Sequence, residues 1–399
     1  MDLAPGAHSE PKLGPGARVV GLDALRGLAA LSVVFCHHLL VLPTVWECYR
    51  TGAAGTYVRA LFFPPLYLFW AGHPAVILFF VLSGYVLSLP ILAGSHQPYA
   101  GYALKRFCRI YIPYAVAVAG AILGAAVLSQ GEIPGLSGWF KSSWNMPIEA
   151  EQVLAHAMFL PPFGPSGFND AVWSLVHEMR VSLVFPFLML FVRRSGWRLI
   201  LLMSVCLSVA GLVPSFHWRL MLLVDYGLTV HYADFFLIGA LLAKHRGWIA
   251  ARLEKLSPAV RFGLFGTGVM FYTAEAINPA ARQGRWMYPV EILTAAGAAV
   301  FVAMAPSVGW LCRPPLVWLG RISYSLYLWH LPVLLATIHI GYGRLPLWSL
   351  LVLSIALGMA TAALMHHLVE EPSTRLAKYL GNAFRNRLPK DFRSFGEIA

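Results

Sequence analysis

Residues 21–42 read GLDALRGLAALSVVFCHHLLVL. About 20 predominantly apolar residues cross the hydrocarbon core of a bilayer as a helix, and the only ionisable groups in this run are Asp23, Arg26, Cys36, His37 and His38. Working outward, similar segments recur at about 73–93, 107–129, 172–192, 197–214, 230–243, 259–277, 290–309, 316–338 and 345–368. The expected fold is all-α, a polytopic membrane protein of about ten transmembrane helices. The stretch from Leu61 to Trp70 is apolar but holds Pro64 and Pro65, which remove helix donors, so a half-buried or re-entrant element is expected there. Of the 399 residues, 58% are hydrophobic and only 12% charged. That balance excludes disorder and argues against a soluble enzyme.

The chain is basic, with 30 Lys and Arg against 18 Asp and Glu, and nucleic acid is one partner such a balance invites. The positions of the charges argue for a membrane instead. About ten spans put both ends on one side, and that side carries 21 Lys and Arg against 7 opposite (Arg50, Arg59, Lys141, Arg219, Arg282, Arg285 and Arg344). The positive-inside rule then places both termini in the cytoplasm. Three regions follow: a polar cytoplasmic tail over 1–20, a transmembrane region over 21–372, and a basic cytoplasmic tail over 373–399 suited to anionic lipid headgroups. The Gly- and Pro-rich start lacks the pattern of a cleaved signal peptide. Five scattered cysteines form no CxxC pair, and no HExxH string occurs, so no metal site is expected. The long connection Ser129–Asp170 is expected on the outer side.

Ionisable groups inside a span are costly and are therefore functional candidates. Arg26 and His37 lie eleven positions apart, close to three full helical turns, so they share a face with an axial offset of roughly 16 Å. Arg26 also suits a snorkelling anchor and His37 a satisfied interior imidazole, while His38 faces away and reads as structural. Arg106 and Arg109 open the third span at i and i+3, a spacing suited to gripping phosphates or to inner-leaflet anchoring. His177, Glu178 and Arg180 cluster at the start of the fourth span, where the carboxylate is expected to orient the imidazole or balance the arginine. Tyr324, Tyr327 and His330 recur by threes on one face of the ninth span.

Seven strings, LDALRGLAALSVVFCHH (22–38), FFVLSGYVLS (79–88), RFCRIYIPY (106–114), WSLVHEMR (173–180), FFLIGALLA (235–243), LGRISYSLYLWH (319–330) and VEEPSTR (369–375), occur in one order. Together they resemble the acyltransferase family 3 membrane proteins, which O-acylate bacterial surface polysaccharides and other acceptors. The resemblance covers about residues 21–376 and implies a ten-helix core in the bacterial inner membrane that uses cytoplasmic acyl-CoA. It carries the family's first-span Arg and His onto Arg26 and His37, its paired arginines onto Arg106 and Arg109, its WSL-motif acid onto Glu178, its late Tyr and His onto Tyr327 and His330, and its near-terminal Glu onto Glu370. Tyr85 stands where relatives often have Phe, and Met179 and Arg180 stand where a second acid and a Gln are common.

These residues give an expected mechanism. Arg26, Arg106 and Arg109 hold the phosphates of acyl-CoA, the pantetheine arm threads inward, and His37 takes a proton from an acceptor hydroxyl, with Glu178, Tyr327 and His330 completing the catalytic set. The expected reaction is acyl transfer, acetyl above all, to a surface or exported glycan. An acyl-histidine relay through His37 is a second route. A proton-coupled transporter is the rival class, since it too needs intramembrane Arg, His and Glu.

Overall fold

The computed structural model describes residues 20–53, 55–95, 97–145, 147–159, 167–216, 221–277 and 287–387. Residues 1–19 of the first tail and 388–399 of the second, and Arg219, Arg282 and Arg285, lie outside the described residues. Those described are helical, without strands. The main helices are α1 (Val20–Leu40), α2 (Gly72–Leu92), α3 (Tyr99–Leu128), α4 (Trp173–Arg194), α5 (Trp197–Leu212), α6 (Met221–Lys244), α7 (Pro258–Tyr272), α8 (Met287–Met304), α9 (Pro314–Gly341), α10 (Leu347–Met365) and α11 (Glu371–Arg387).

Each apolar segment read from the sequence is one of the helices α1–α10. Among the described residues, seven helical stretches are long and apolar enough to cross a membrane. The other three are α5 and α7, of 16 and 15 residues, and α9, whose 28 residues carry Arg321, Tyr324, Tyr327 and His330 among apolar neighbours. Two boundaries differ from expectation. Helix α3 starts at Tyr99, which puts Arg106 and Arg109 two turns inside it, and α6 starts at Met221, which takes in Asp225 and Thr229. Hydropathy marks where apolar side chains end, whereas a helix continues as long as its backbone bonds are made.

The prolines at 64 and 65 do break the chain where expected. Thr56–Leu61 and Pro64–Tyr67 are short helices, the second with its prolines in the first turn, where no donor is lost. Tyr67 and Trp70 are buried against the bundle.

Helix α2 is central, packing on α1, α4, α6 and α8, while α9 packs on α1, α3 and α10. The α1–α9 crossing is the one that positions the candidate residues. A Cβ at Gly27 would lie 2.6 Å from the Gly320 nitrogen, and one at Gly320 would lie 2.2 Å from the Asp23 carbonyl oxygen. Only glycines allow backbones this close, as in small-residue packing of membrane helices. The contact lays the Arg26–His37 face of α1 against the Tyr327–His330 face of α9.

The connection between α3 and α4 folds back over this crossing. Ser137 Oγ donates to Leu40 O at 2.5 Å, and Trp144 Nε1 donates to Phe168 O at 2.9 Å. These bonds set Trp139 parallel to the His37 ring, with centroids 5.2 Å apart and planes 3° apart.

Candidate active site

His37 and His330 meet across the α1–α9 crossing, Nδ1 of the first lying 2.7 Å from Nε2 of the second. His330 Nδ1 lies 3.1 Å from the Leu326 carbonyl, which can only accept, so that nitrogen carries the hydrogen. In the neutral ring, His330 Nε2 is then an acceptor, and His37 must donate through Nδ1. The lone pair of His37 is left on Nε2, for which no partner occurs among the described residues. His38 is satisfied, with Nδ1 2.7 Å from Val34 O and Nε2 2.8 Å from Ser354 Oγ, as a structural imidazole is.

Two cavities lie along the α1–α9 crossing. The first, of about 120 Å³, is lined by Arg26, Arg106, Arg109 and Arg321, with Glu178, Glu370, Ser83, Ser174, Tyr324 and Tyr327. Four guanidinium groups against two carboxylates give it an excess of positive charge, as a site for a polyanion requires. Arg26 also pairs with Asp23 at 3.0 Å. The second, of about 210 Å³, is lined by His37, His73, Asp170, Trp46, Tyr49, Trp139 and Trp173. Tyr327 and Val76 line both cavities.

The cluster at the start of α4 comes apart. Glu178 turns to the arginine cavity and accepts from Ser83 Oγ at 3.0 Å. Arg180 instead pairs with Asp225 of α6, and His177 Nδ1 lies 2.8 Å from Thr229 Oγ1. The acid that balances this arginine is therefore Asp225 and not Glu178. The reason is angular: residues two apart on a helix point about 200° apart. The other predicted residues gather as two groups, Arg26, Arg106, Arg109 and Glu178 lining one cavity and His37 lining the other with His330 bonded to it, and Tyr327 lines both. Glu370 accepts from Ser325 Oγ at 2.7 Å at the rim of the arginine cavity.

Several residues of the two cavities carry no candidate role from the sequence: Arg321, His73, Asp170 and the three tryptophans. Behind His73 lies Glu291 of α8, at 2.6 Å. A carboxylate inside an apolar segment was the available signal, by the same cost that singles out Arg26. Among the described residues no group of three or more His, Cys, Asp or Glu is placed to hold a metal ion.

The fold and these cavities define a multi-pass membrane protein in which an arginine-rich chamber adjoins an imidazole-bearing one. Comparison with known proteins gives the family. The profile of the acyltransferase domain Acyl_transf_3 matches residues 19–367, and the chain belongs to this family of acyltransferases. It is 27% identical over 379 residues to nodulation protein 10 of Rhizobium leguminosarum bv. viciae, covering 89% of this chain and 93% of that one. It is 22% identical over 391 residues to the putative peptidoglycan O-acetyltransferase YrhL of Bacillus subtilis, covering 89% of this chain and 54% of that one. A third relative is the exopolysaccharide production protein ExoZ of Rhizobium meliloti, 28% identical over 269 residues, with 66% of this chain and 76% of that one covered. No solved structure gives a significant match. Membership favours acyl transfer over the rival transport reading.

Proposed function

We propose that the protein is an O-acetyltransferase of the bacterial inner membrane that carries acetyl from cytoplasmic acetyl-CoA to a hydroxyl of a surface or exported glycan. The bundle crosses the membrane about ten times with both termini in the cytoplasm, so the arginine cavity opens inward and the aromatic cavity outward. The observation that carries the reading is the lining they share: Tyr327 and Val76 face both the cavity of the four arginines and the cavity that holds the imidazole of His37.

Arg26, Arg106 and Arg109, with Arg321, hold the phosphates of the donor through charge-assisted bonds. Glu178, tied to Ser83, keeps the cluster in place from the opposite wall. The pantetheine arm passes beside Tyr327 and presents the thioester to the outer cavity. There His37 Nε2, made a base by the His330 bond to Nδ1, takes the proton of the acceptor hydroxyl as oxygen attacks the carbonyl. The C–S bond breaks, and His37 passes that proton to the departing thiolate. The aromatic walls offer flat apolar faces and Asp170 a carboxylate, a lining that suits a sugar ring. The names of two relatives, which cite peptidoglycan and exopolysaccharide, support the same acceptor class.

Mass spectrometry of surface glycans from cells with and without the protein tests this directly. An acetyl increment that disappears with the gene and is not restored by His37→Ala is the expected result. Glycans of unchanged mass, or full restoration by His37→Ala, would overturn the reading.

A further inference from the structure

A second imidazole faces the His37 cavity. A Cβ at Gly72 would lie 2.7 Å from Cys36 Sγ, so α1 and α2 touch one residue before His37 and one residue before His73. Both imidazoles line the same 210 Å³ cavity. Their backing differs. His73 Nε2 lies 2.6 Å from Glu291 Oε1, and Glu291 Oε2 lies 2.8 Å from His231 Nε2, whose Nδ1 meets Ser208 Oγ at 2.7 Å. The Glu291 and His231 side chains are 2% and 0% exposed, whereas that of His73 is 20% exposed.

A carboxylate only accepts, so both Nε2 atoms facing Glu291 carry hydrogens. No Lys or Arg pairs with Glu291 among the described residues, and a buried carboxylate is retained where a cation offsets it. His73 is the partner open to a cavity, and its one remaining ring nitrogen is Nδ1, which has no partner among the described residues. With a proton there, the cluster is an ion pair of no net charge whose free N–H donor belongs to an imidazole lining the chamber. His37 offers a lone pair to the same chamber. Two imidazoles with opposite backing thus supply opposite groups.

We propose that His73, held by Glu291, is a second catalytic residue that donates a hydrogen bond from Nδ1 to the thioester carbonyl oxygen as it gains negative charge. It keeps its proton throughout. The hydroxyl proton passes to His37 and then to the departing sulfur, so the sum remains alcohol and thioester going to ester and thiol. His231 and Ser208 are positioning residues that fix the carboxylate. The proposal rests on the acetyl-CoA reading above.

The test uses the full chain in lipid nanodiscs, with radiolabelled acetyl-CoA as donor and a glycan extract from producing cells as acceptor, following label transfer and thiol release. His73→Ala is expected to lower kcat about 100-fold with little change in the donor KM, the size of effect seen when one donor to a developing oxyanion is removed. His73→Gln, which keeps an N–H donor, is expected to recover at least tenfold of that loss. Glu291→Gln is expected to reduce kcat as well, with its thermal midpoint recorded alongside. His73→Ala turnover within threefold of wild type, or a Gln variant no better than Ala at equal thermal midpoints, overturns the proposal. Wild-type protein that transfers no label from acetyl-CoA overturns the underlying reading instead, and the two failures are therefore distinguishable.

Discussion

The hydroxyl of Tyr327 bonds to Ser174 Oγ at 2.7 Å and to the Ala171 carbonyl oxygen at 2.7 Å. A carbonyl only accepts, so Tyr327 donates to Ala171 and accepts from Ser174. Ser174 lines the arginine cavity and Ala171 the aromatic one. A single phenol therefore stitches α9 to the start of α4 at the plane where the two chambers adjoin.

Removing that stitch should loosen the partition without touching either chamber's charges. Tyr327→Phe keeps the ring but leaves the buried Ala171 carbonyl and Ser174 hydroxyl without it, at a cost of about 1–3 kcal/mol. The expected phenotype is uncoupling. Thiol release from acetyl-CoA should exceed label transfer to glycan severalfold in the variant, and the two rates should match in wild type. Equal rates in the variant would show that the hydroxyl does not seal the partition.

The arginine cavity makes a prediction about binding. Each charge-assisted bond to phosphate contributes about 1.5–3 kcal/mol, so Arg106→Ala and Arg109→Ala should each raise the donor KM roughly 10- to 100-fold while kcat changes less. A titration with a short acyl thioester lacking the nucleotide discriminates further, because its weaker binding should be insensitive to both changes. If both substitutions depress kcat at saturating donor and spare KM, the cluster serves the chemical step or the fold and not the phosphates.

His330 should act through His37. Substituting His330 by Leu removes the acceptor that fixes the His37 proton on Nδ1, so both tautomers become accessible and the base is lost part of the time. A fall in kcat of about 10- to 100-fold is expected, smaller than that of His37→Ala, for which general-base loss predicts about 100- to 10,000-fold. His330→Gln, whose side-chain oxygen can accept from His37, should recover part of the activity. The decisive comparison is kcat at saturating donor for the three variants. Equal losses for His330→Leu and His37→Ala would place His330 in direct contact with substrate.

The positions of the helices were legible because a bilayer imposes length and hydropathy on every segment that crosses it. The shared face of Arg26 and His37 followed from helical geometry alone. Contacts between helices were not legible in that way. The Gly27–Gly320 approach that joins His37 to His330 spans nearly 300 positions of chain, and no local periodicity encodes it. The same holds for Asp225, which takes Arg180 away from Glu178, and for Glu291, which stands behind His73. In each case one member is an ionisable residue in an apolar segment, visible in the sequence, and its partner is set only by packing.

The Arg180–Asp225 pair yields a test of that point by stability. Arg180 also donates to Thr229 Oγ1 at 3.1 Å and stacks on Tyr226, its guanidinium 4.5 Å from the ring centroid. Removing one partner of a buried pair costs about 3–5 kcal/mol, and the side chains here, 18% and 19% exposed, call for a smaller value of about 2–3 kcal/mol. Asp225→Ala should therefore lower the thermal midpoint in detergent by several degrees. The double change of Arg180→Met with Asp225→Leu should be less damaging than Asp225→Ala alone, because no unpaired charge is left among apolar helices. Glu178→Gln should lower the midpoint less than Asp225→Ala does, since Arg180 does not depend on it. A midpoint that falls with Glu178→Gln and not with Asp225→Ala would reverse the assignment of the arginine's partner.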